Sequence, residues 1–376
     1  MRLMVDRDVL ADAVGWVARA LPARPPSPVL AGVHITATTA GAGLVRLTSF
    51  NYEVSAKAEA AADVSQGGEI LVSGRLLAEI AKYLPAKPVS IVLEASKIVL
   101  TCGSSVFTLP TMPLEDYPPP PALPNPAGTV NATSFANAVA QVSIAATRDE
   151  TLPLLTGVRL EIQGDHLILL ATDRYRLAIR ELEWHPTSPD ASRVALVKAR
   201  TLSDVSKSFG ATEDVQISLG VPDVSDIIGF AADGRETTSL LIDGDYPQVR
   251  SLFPDSFEVS ATMDSTELIE AVRRVSLVNE RKSPVQIVLS PGQATLNSGA
   301  GDEAQASDVI EATLDGPETA VAFNPQYLLD GLTALGTPEV RLSMNTTTKP
   351  VLFQGEIDGQ IVADYKYLLV PIRFGV

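Results

Sequence analysis

One paragraph of sequence is written three times along this chain. The first copy opens on Asp6-Arg7-Asp8-Val9-Leu10-Ala11-Asp12-Ala13-Val14, continues at Val72-Ser73-Gly74-Arg75-Leu76-Leu77 and closes on Asp116-Tyr117-Pro118. The second opens at Ser134-Phe135-Ala136-Asn137-Ala138-Val139, continues at Val197-Lys198-Ala199-Arg200-Thr201-Leu202 and closes on Asp245-Tyr246-Pro247. The third opens at Ser265-Thr266-Glu267-Leu268, continues at Phe323-Asn324-Pro325-Gln326-Tyr327-Leu328 and ends at Val370-Pro371-Ile372. The equivalent residues Val72, Val197 and Phe323 lie 125 and 126 positions apart. So long a period excludes a solenoid of short units and means whole domains in tandem. Each copy, roughly 120 residues, is long enough to bury its own core.

Within a copy the hydrophobic period changes twice. Leu10, Ala13, Val14, Val17 and Leu21 recur at helical spacing after Asp6, a plausible cap. Phe135, Val139, Val142 and Ala146 make the matching stripe in the second copy, and Leu268, Val272 and Val275 in the third. There Asp264 and Glu267 have the spacing of a capping box. The second helices are short. The clearest has Asn324 as cap, Pro325 at its first position and Gly336 as its stop; its counterparts stop at Pro85 and Gly210. Between helices the pattern alternates, as in Val89–Leu93, Lys97–Leu100, Gly157–Ile162 and His166–Thr172, and predicts strands. Each copy reads as two amphipathic helices on one face of an antiparallel sheet, an α+β domain. The stiff run Pro118 to Pro126 and the shorter Phe253-Pro254-Asp255-Ser256 mark connectors. The expected domains are 1–122, 128–252 and 256–376.

Composition narrows the function. No apolar run reaches membrane-spanning length, and no basic flank precedes an apolar core at the N-terminus. A single cysteine, Cys102, excludes an internal disulfide and fits a reducing cytoplasm. His34, His166 and His185 are scattered without metal-ligand spacing, and there is neither a GxxxxGK[ST] loop nor a GxSxG elbow. The sequence therefore gives no catalytic residue, metal site or cofactor site. Asp173, beside Arg174 and Arg176, suits a tight turn better than a catalytic cluster. The net charge of −16 argues against tight nucleic-acid binding taken alone, but says nothing of where the basic residues sit.

Three such domains in line leave a bare sheet edge at each end, and bare edges invite pairing. If the first domain of one chain meets the third of another, two chains close a ring of six domains. Twelve helices spaced about 10 Å apart make a circle roughly 38 Å across. Removing about 5 Å of helix radius on each side leaves a hole of about 28 Å, wider than a B-form duplex.

Four motifs then carry a resemblance that spans essentially the whole chain. They are Arg24-Pro25 with Pro28-Val29-Leu30, Ala171-Thr172-Asp173-Arg174-Tyr175-Arg176-Leu177-Ala178, Asp245-Tyr246-Pro247, and the tail Tyr367-Leu368-Leu369-Val370-Pro371-Ile372-Arg373-Phe374. On a threefold repeat and in this order, the chain resembles the bacterial DNA polymerase III beta subunit family, the replicative sliding clamps, and most of all their high-GC Gram-positive branch. The resemblance implies a non-catalytic head-to-tail homodimer in the cytoplasm that encircles double-stranded DNA without reading sequence and tethers the replicative polymerase. Its implied partners are the DNA polymerase III alpha subunit, the clamp loader, and other polymerases and repair proteins bearing linear peptide motifs. The alternative within the family is a clamp paralogue with an altered groove, inhibitor-resistant or repair-specific.

Carried over by position, the resemblance implies a peptide groove built from Leu155, Thr172, Arg174, Arg176, Leu177, Pro247, Leu252, Thr348, Pro350, Val370, Pro371 and Ile372. The apolar members would take an anchoring side chain, with Thr172 and Arg176 orienting it. It implies DNA contacts at Arg24, Arg75, Arg148, Lys198 and Arg200, and a dimer seam joining the strand Ser104–Thr108, with Phe107, to Arg273, Leu277 and the acidic Asp302-Glu303. The chain departs from the family pattern at Asp149, where a polar amide is common, and at Leu152-Pro153-Leu154, which replaces an aromatic pair.

Overall fold

The first helices of the first and third repeats start where a side-chain oxygen meets the unpaired amides of the first turn. Helix α1 (Arg7–Ala18) is capped by Asp6, which accepts from the Asp8 and Val9 N–H groups. The other helices are α2 (Gly74–Tyr83), α3 (Ala132–Ser143), α4 (Ala199–Ser208), α5 (Ser265–Val275) and α6 (Pro325–Leu335). Asp264 accepts the Glu267 N–H at 2.8 Å to start α5. Asn324 caps α6, with Pro325 in the first turn and Gly336 stopping it in the left-handed region at φ 64°. The structure is a computed structural model that describes residues 1–39, 43–189, 192–209, 212–221, 225–254, 256–278, 283–299 and 304–373. Gly210, Asp255, Asp302, Glu303 and Phe374 therefore lie outside the described residues.

Several boundaries differ from the sequence reading. Leu21 and Ala146 belong to the apolar stripes but lie past the ends of α1 and α3; they are buried as the chain turns away. The expected strands run on, to Glu94, Cys102 and Gln163, because a ladder continues while its partner does. Pro126 opens the strand Pro126–Asn131 instead of closing the connector. The strand expected at Ser104–Thr108 is Ser105–Met112.

The chain divides into two compact units. The first holds Met1–Thr133, His185–Pro189 and Asp204–Leu241; the second holds Ser134–Trp184, Asp190–Ser203 and Ile242–Val376. Each is organised on one continuous antiparallel sheet, of 14 strands in the first and 13 in the second among the described residues. In both units the sheet is continued from one repeat into the next by the same pair of equivalent strands. In the first unit Val54–Ala61, the fourth strand of its repeat, pairs with Arg235–Leu240, the last strand of the second repeat. In the second unit Arg176–Glu183, again a fourth strand, pairs with Tyr365–Leu369, the last strand of the third repeat.

One strand of each kind is left over. Ser105–Met112, the last strand of the first repeat, pairs along its length with Lys97–Cys102, but on its other side only Thr111 and Met112 have partners. Ala306–Asp315, the fourth strand of the third repeat, pairs along its length with Gly292–Ser298. On its other side only Thr313, Leu314 and Asp315 have partners, in the strand Val259–Asp264. Among the described residues, the remaining outer edges of both strands carry no ladder.

Candidate functional site

Register builds the site in the second unit. Leu177 stands opposite Thr172 on one side and Leu368 on the other, and Leu368 stands opposite Leu352. Direct cross-strand partners share a face, so these side chains form a row across four adjacent strands. Around the row Leu155, Leu170, Leu196, Tyr246 and Val249 complete a buried apolar cluster, with Leu154, Ile242 and Phe253 half-buried at its margin. The short turn Pro153–Thr156 delivers Leu155, and Gly157 follows it because a Cβ there would lie 2.6 Å from the Leu196 side chain. Burying leucines of this kind contributes about 1.5–3 kcal/mol each.

Of the expected groove residues, Leu155, Thr172, Leu177 and Pro371 are buried, Arg176 and Pro350 are partly buried, and Arg174, Pro247, Leu252, Thr348, Val370 and Ile372 are exposed. Exposed Pro247 follows buried Tyr246, the N–H of exposed Leu252 donates to the carbonyl of buried Val249, and exposed Val370 follows buried Leu369, so these apolar residues adjoin buried ones along the chain. The tail is fixed as it leaves the sheet: the Val370 N–H donates to the Tyr175 carbonyl at 2.8 Å and the Ile372 N–H to the Ala322 carbonyl at 2.7 Å.

The turn between the two central strands is a closed polar network. Asp173 Oδ1 accepts the N–H groups of Tyr175 and Arg176, both at 3.0 Å, and Arg174 takes a left-handed conformation at φ 81°. The Thr172 hydroxyl donates to the Arg176 carbonyl at 2.7 Å and accepts from the Arg174 N–H at 3.2 Å. Arg176 alternates to the face opposite Leu177. Its Nε donates to Asp173 Oδ2 at 2.9 Å, its Nη1 donates to Asp330 Oδ2 at 2.7 Å, and the guanidinium lies 4.2 Å from the Tyr327 ring centroid. Burial opposes its charge, but Tyr367, Asp330 and Asp173 outweigh burial and hold it above its ordinary range. Both polar groups expected to orient a ligand are thus engaged in building the turn.

Sequence reasoning missed the supports of this site. Tyr246 lies inside a quoted motif, yet its role is spatial: its hydroxyl accepts the Thr172 N–H at 3.0 Å, and burial pushes that hydroxyl up to about 12. Helix α6 can approach the sheet because residue 331 is glycine; a Cβ there would sit 2.2 Å from the Tyr367 ring. The Tyr367 hydroxyl donates to the Tyr327 carbonyl at 2.8 Å. Glu161, buried beside the cluster, accepts from Arg159, Gln163 and Arg250.

The expected DNA-contact residues all reach the surface. In the first unit Arg75 donates to the Pro22 carbonyl at 2.8 Å, which brings it to the loop that carries Arg24. The same unit has a cleft of about 480 Å³ between α1 and α2, where Arg7, Arg19 and Lys82 surround a floor of small residues with Glu79 as the one acid. Arg148, Lys198 and Arg200 belong to the second unit. Asp149, next to Arg148, accepts from the Thr151 hydroxyl and N–H, and these bonds lower its carboxyl below the usual range. The residues expected at the seam, Phe107, Arg273 and Leu277, are exposed, Leu277 by 85%. Among the described residues there is no cluster of potential metal ligands, and no helix is long and apolar enough to cross a membrane.

Comparison with known proteins places this geometry. Residues 1–124, 129–248 and 250–373 match, in order, the N-terminal, central and C-terminal domains of the DNA polymerase III beta subunit. The chain is 47% identical to the beta sliding clamp of Streptomyces coelicolor over 376 residues, 99% of each chain. It is 39% identical to the beta sliding clamp homolog GriR of Streptomyces muensis, with both chains covered completely. The crystal structure of the sliding clamp from Bacillus subtilis superposes with a TM-score of 0.92 at 25% identity, again covering both chains completely. The chain, with its three clamp domains, belongs to the DNA polymerase III beta subunit family.

Proposed function

We propose that this protein is a DNA sliding clamp, a non-catalytic homodimeric ring that encircles duplex DNA and tethers the replicative polymerase. The observation that carries the reading is the unmet third junction. Two of the three equivalent pairings between a fourth strand and a last strand are made within the chain. The strands Ser105–Met112 and Ala306–Asp315 are the pair left over, so the missing junction is supplied head to tail by a second copy. Phe107, Arg273 and Leu277 flank that seam. Two copies, each bringing three domains, then close the ring.

The division of charge suits a protein that surrounds DNA without gripping it. The chain carries −16 overall, while Arg24, Arg75, Arg148, Lys198, Arg200 and the cationic α1–α2 cleft offer local contacts to phosphates. Phosphate contacts position a duplex without reading its bases, and their weakness permits sliding. The apolar groove around Leu155, Leu177, Pro247, Val370 and Ile372 takes the linear peptide of the polymerase alpha subunit; the clamp loader and repair polymerases use the same groove in turn. The site of action is the bacterial cytoplasm, where the chromosome lies. Greater identity to the Streptomyces coelicolor clamp than to GriR, 47% against 39%, favours the housekeeping role over a groove-altered paralogue.

Light scattering over a dilution series tests the ring. A mass of about 80 kDa, twice the 39.8 kDa of one chain, supports the two-chain closure. A monomer that persists at high concentration refutes it. Truncation after Val370 tests the groove: polymerase stimulation should be lost while the dimer persists, and unchanged stimulation would remove the groove assignment.

A further inference from the structure

The polar network beneath the groove is not a requirement of the repeat. Counting from the start of each second helix, Asp330 on α6 is equivalent to Asp204 on α4 and Glu79 on α2, so an acid stands at this place in every repeat. The strand position of Arg176 is different. Its equivalent in the first repeat is Val54, which follows the same kind of turn: Asn51 Oδ1 accepts the N–H groups of Glu53 and Val54 just as Asp173 does those of Tyr175 and Arg176. Of these two junctions, only the one that carries the groove offers a cation from the strand to the helix acid.

Arg176 is held from three sides and is only 10% exposed at its side chain. Asp330 supplies its charged contact from the third domain, and the second oxygen of that carboxylate accepts the Gln326 amide at 2.7 Å. The main chain of Arg176 is simultaneously part of the turn, because its carbonyl accepts the Thr172 hydroxyl. The residue after it is Leu177, the centre of the apolar row. Fixing the guanidinium therefore fixes the segment that presents Leu177 and the exposed Arg174 to the groove.

We propose that Asp330 is a positioning residue for peptide binding: by holding Arg176 from helix α6 it keeps the 172–177 turn in the geometry that receives the peptide. This rests on the groove reading given above. Preorganisation of this kind acts through the fraction of molecules ready to bind. If loss of Asp330 lowers that fraction to about one tenth, affinity falls about tenfold.

The test uses the full-length dimer and a fluorescein-labelled peptide from the tail of the host's polymerase III alpha subunit, read by fluorescence polarisation. Asp330→Ala should weaken binding about tenfold. Asp330→Asn, which keeps the shape and an acceptor for Gln326, should fall between, and Asp204→Ala should match the wild type. Action through Arg176 predicts non-additivity: in an Arg176→Gln background, Asp330→Ala should cost nothing further. Wild-type affinity in Asp330→Ala, or the same loss in both backgrounds, overturns the proposal. Leu177→Asp separates the two levels. If it binds the peptide normally, the groove reading fails and this inference with it; if it loses the peptide while Asp330→Ala does not, the positioning role alone fails.

Discussion

Leu277 offers the sharpest test of the ring, because the other two junctions show what its position does. Counting from Asp6, Asn131 and Asp264, the residues that precede the first helices, Leu277 is equivalent to Arg19 and Ile144, and Arg274 to Trp16 and Gln141. In the first unit Trp16 packs on Phe209, with ring centroids 4.8 Å apart, and Arg19 donates to Ser208 at the end of α4. In the second unit Gln141 Nε2 donates to the Ala334 carbonyl at the end of α6, 2.9 Å away. The third instance would set Leu277 and Arg274 of one copy against the end of α2 in another, where Tyr83 stands. Leu277 and Tyr83 are the two most exposed large hydrophobic residues described, at 85% and 80%. Leu277→Ala removes about three methylene equivalents, worth ~0.8 kcal/mol each when buried, or ~2 kcal/mol per seam. A closed dimer has two seams, so dimerisation should weaken by ~4 kcal/mol, about a thousandfold in dissociation constant. Sedimentation equilibrium across a dilution series measures that shift. Because the side chain is free in the single chain, the melting transition of a dissociated sample should move little. An unchanged dimer would refute the seam, and a large loss of monomer stability would make Leu277 a core residue.

Further outcomes follow from the same geometry. Tyr246→Phe should cost about 1–3 kcal/mol in the stability of the second unit, since it strands the buried Thr172 N–H, whereas in a dissociated sample Tyr83→Phe should cost almost nothing because that ring stands in solvent in the single chain. Equal losses in denaturant melts would contradict this account. Burial raises the Tyr246 hydroxyl to about 12 and also raises those of Tyr365 and Tyr367. An unfolded tyrosine ionises at about 10, so between there and 12 the folded chain binds more protons, and its stability, complete below pH ~10, is lost as pH rises. Tyrosine absorbance should thus show a late phase that coincides with loss of ellipticity; ionisation of all eight tyrosines before any unfolding would exclude it. Charge reversal at Arg24 and Arg75 together should weaken loading on DNA and flatten its salt dependence while leaving peptide affinity intact. Unaltered loading would make both residues ordinary surface charge.

The repeat made most of the architecture legible in the sequence. Helix caps at Asp6, Asp264 and Asn324 are local, and so are the apolar stripes behind them. The site was legible only in part. Thr172, Arg176 and Leu177 stand out within one motif, but which face each takes depends on register with Tyr365–Leu369, a strand from the far end of the chain. The same distance hid Asp330 and Tyr327, and Tyr246 reads as part of a closing motif until its hydroxyl is seen on the Thr172 amide. The repeat predicts that an edge stays unmet at each end, but which stretches of strand it leaves is a property of topology that no window of sequence contains.

A threefold repeat with one architecture still performs three tasks, and the difference lies in a few positions at equivalent junctions. At the first, valine stands at the strand position, Trp16 packs on Phe209, and the sheet runs through from one repeat to the next. At the second, arginine replaces valine and the helix acid gains a partner, beside the turn that the proposed groove uses. At the third, the outer strand edges carry no ladder among the described residues beyond their short end pairings, and Leu277 stays exposed, which is unfavourable for a lone chain and useful only if a second copy covers them. On the groove and ring readings proposed above, the same pairing rule yields a closed junction, a docking site and a seam. A ring that must open for loading needs one junction weaker than the others, and the junction made between separate chains is the only one of the three that can part without tearing a continuous sheet within a unit.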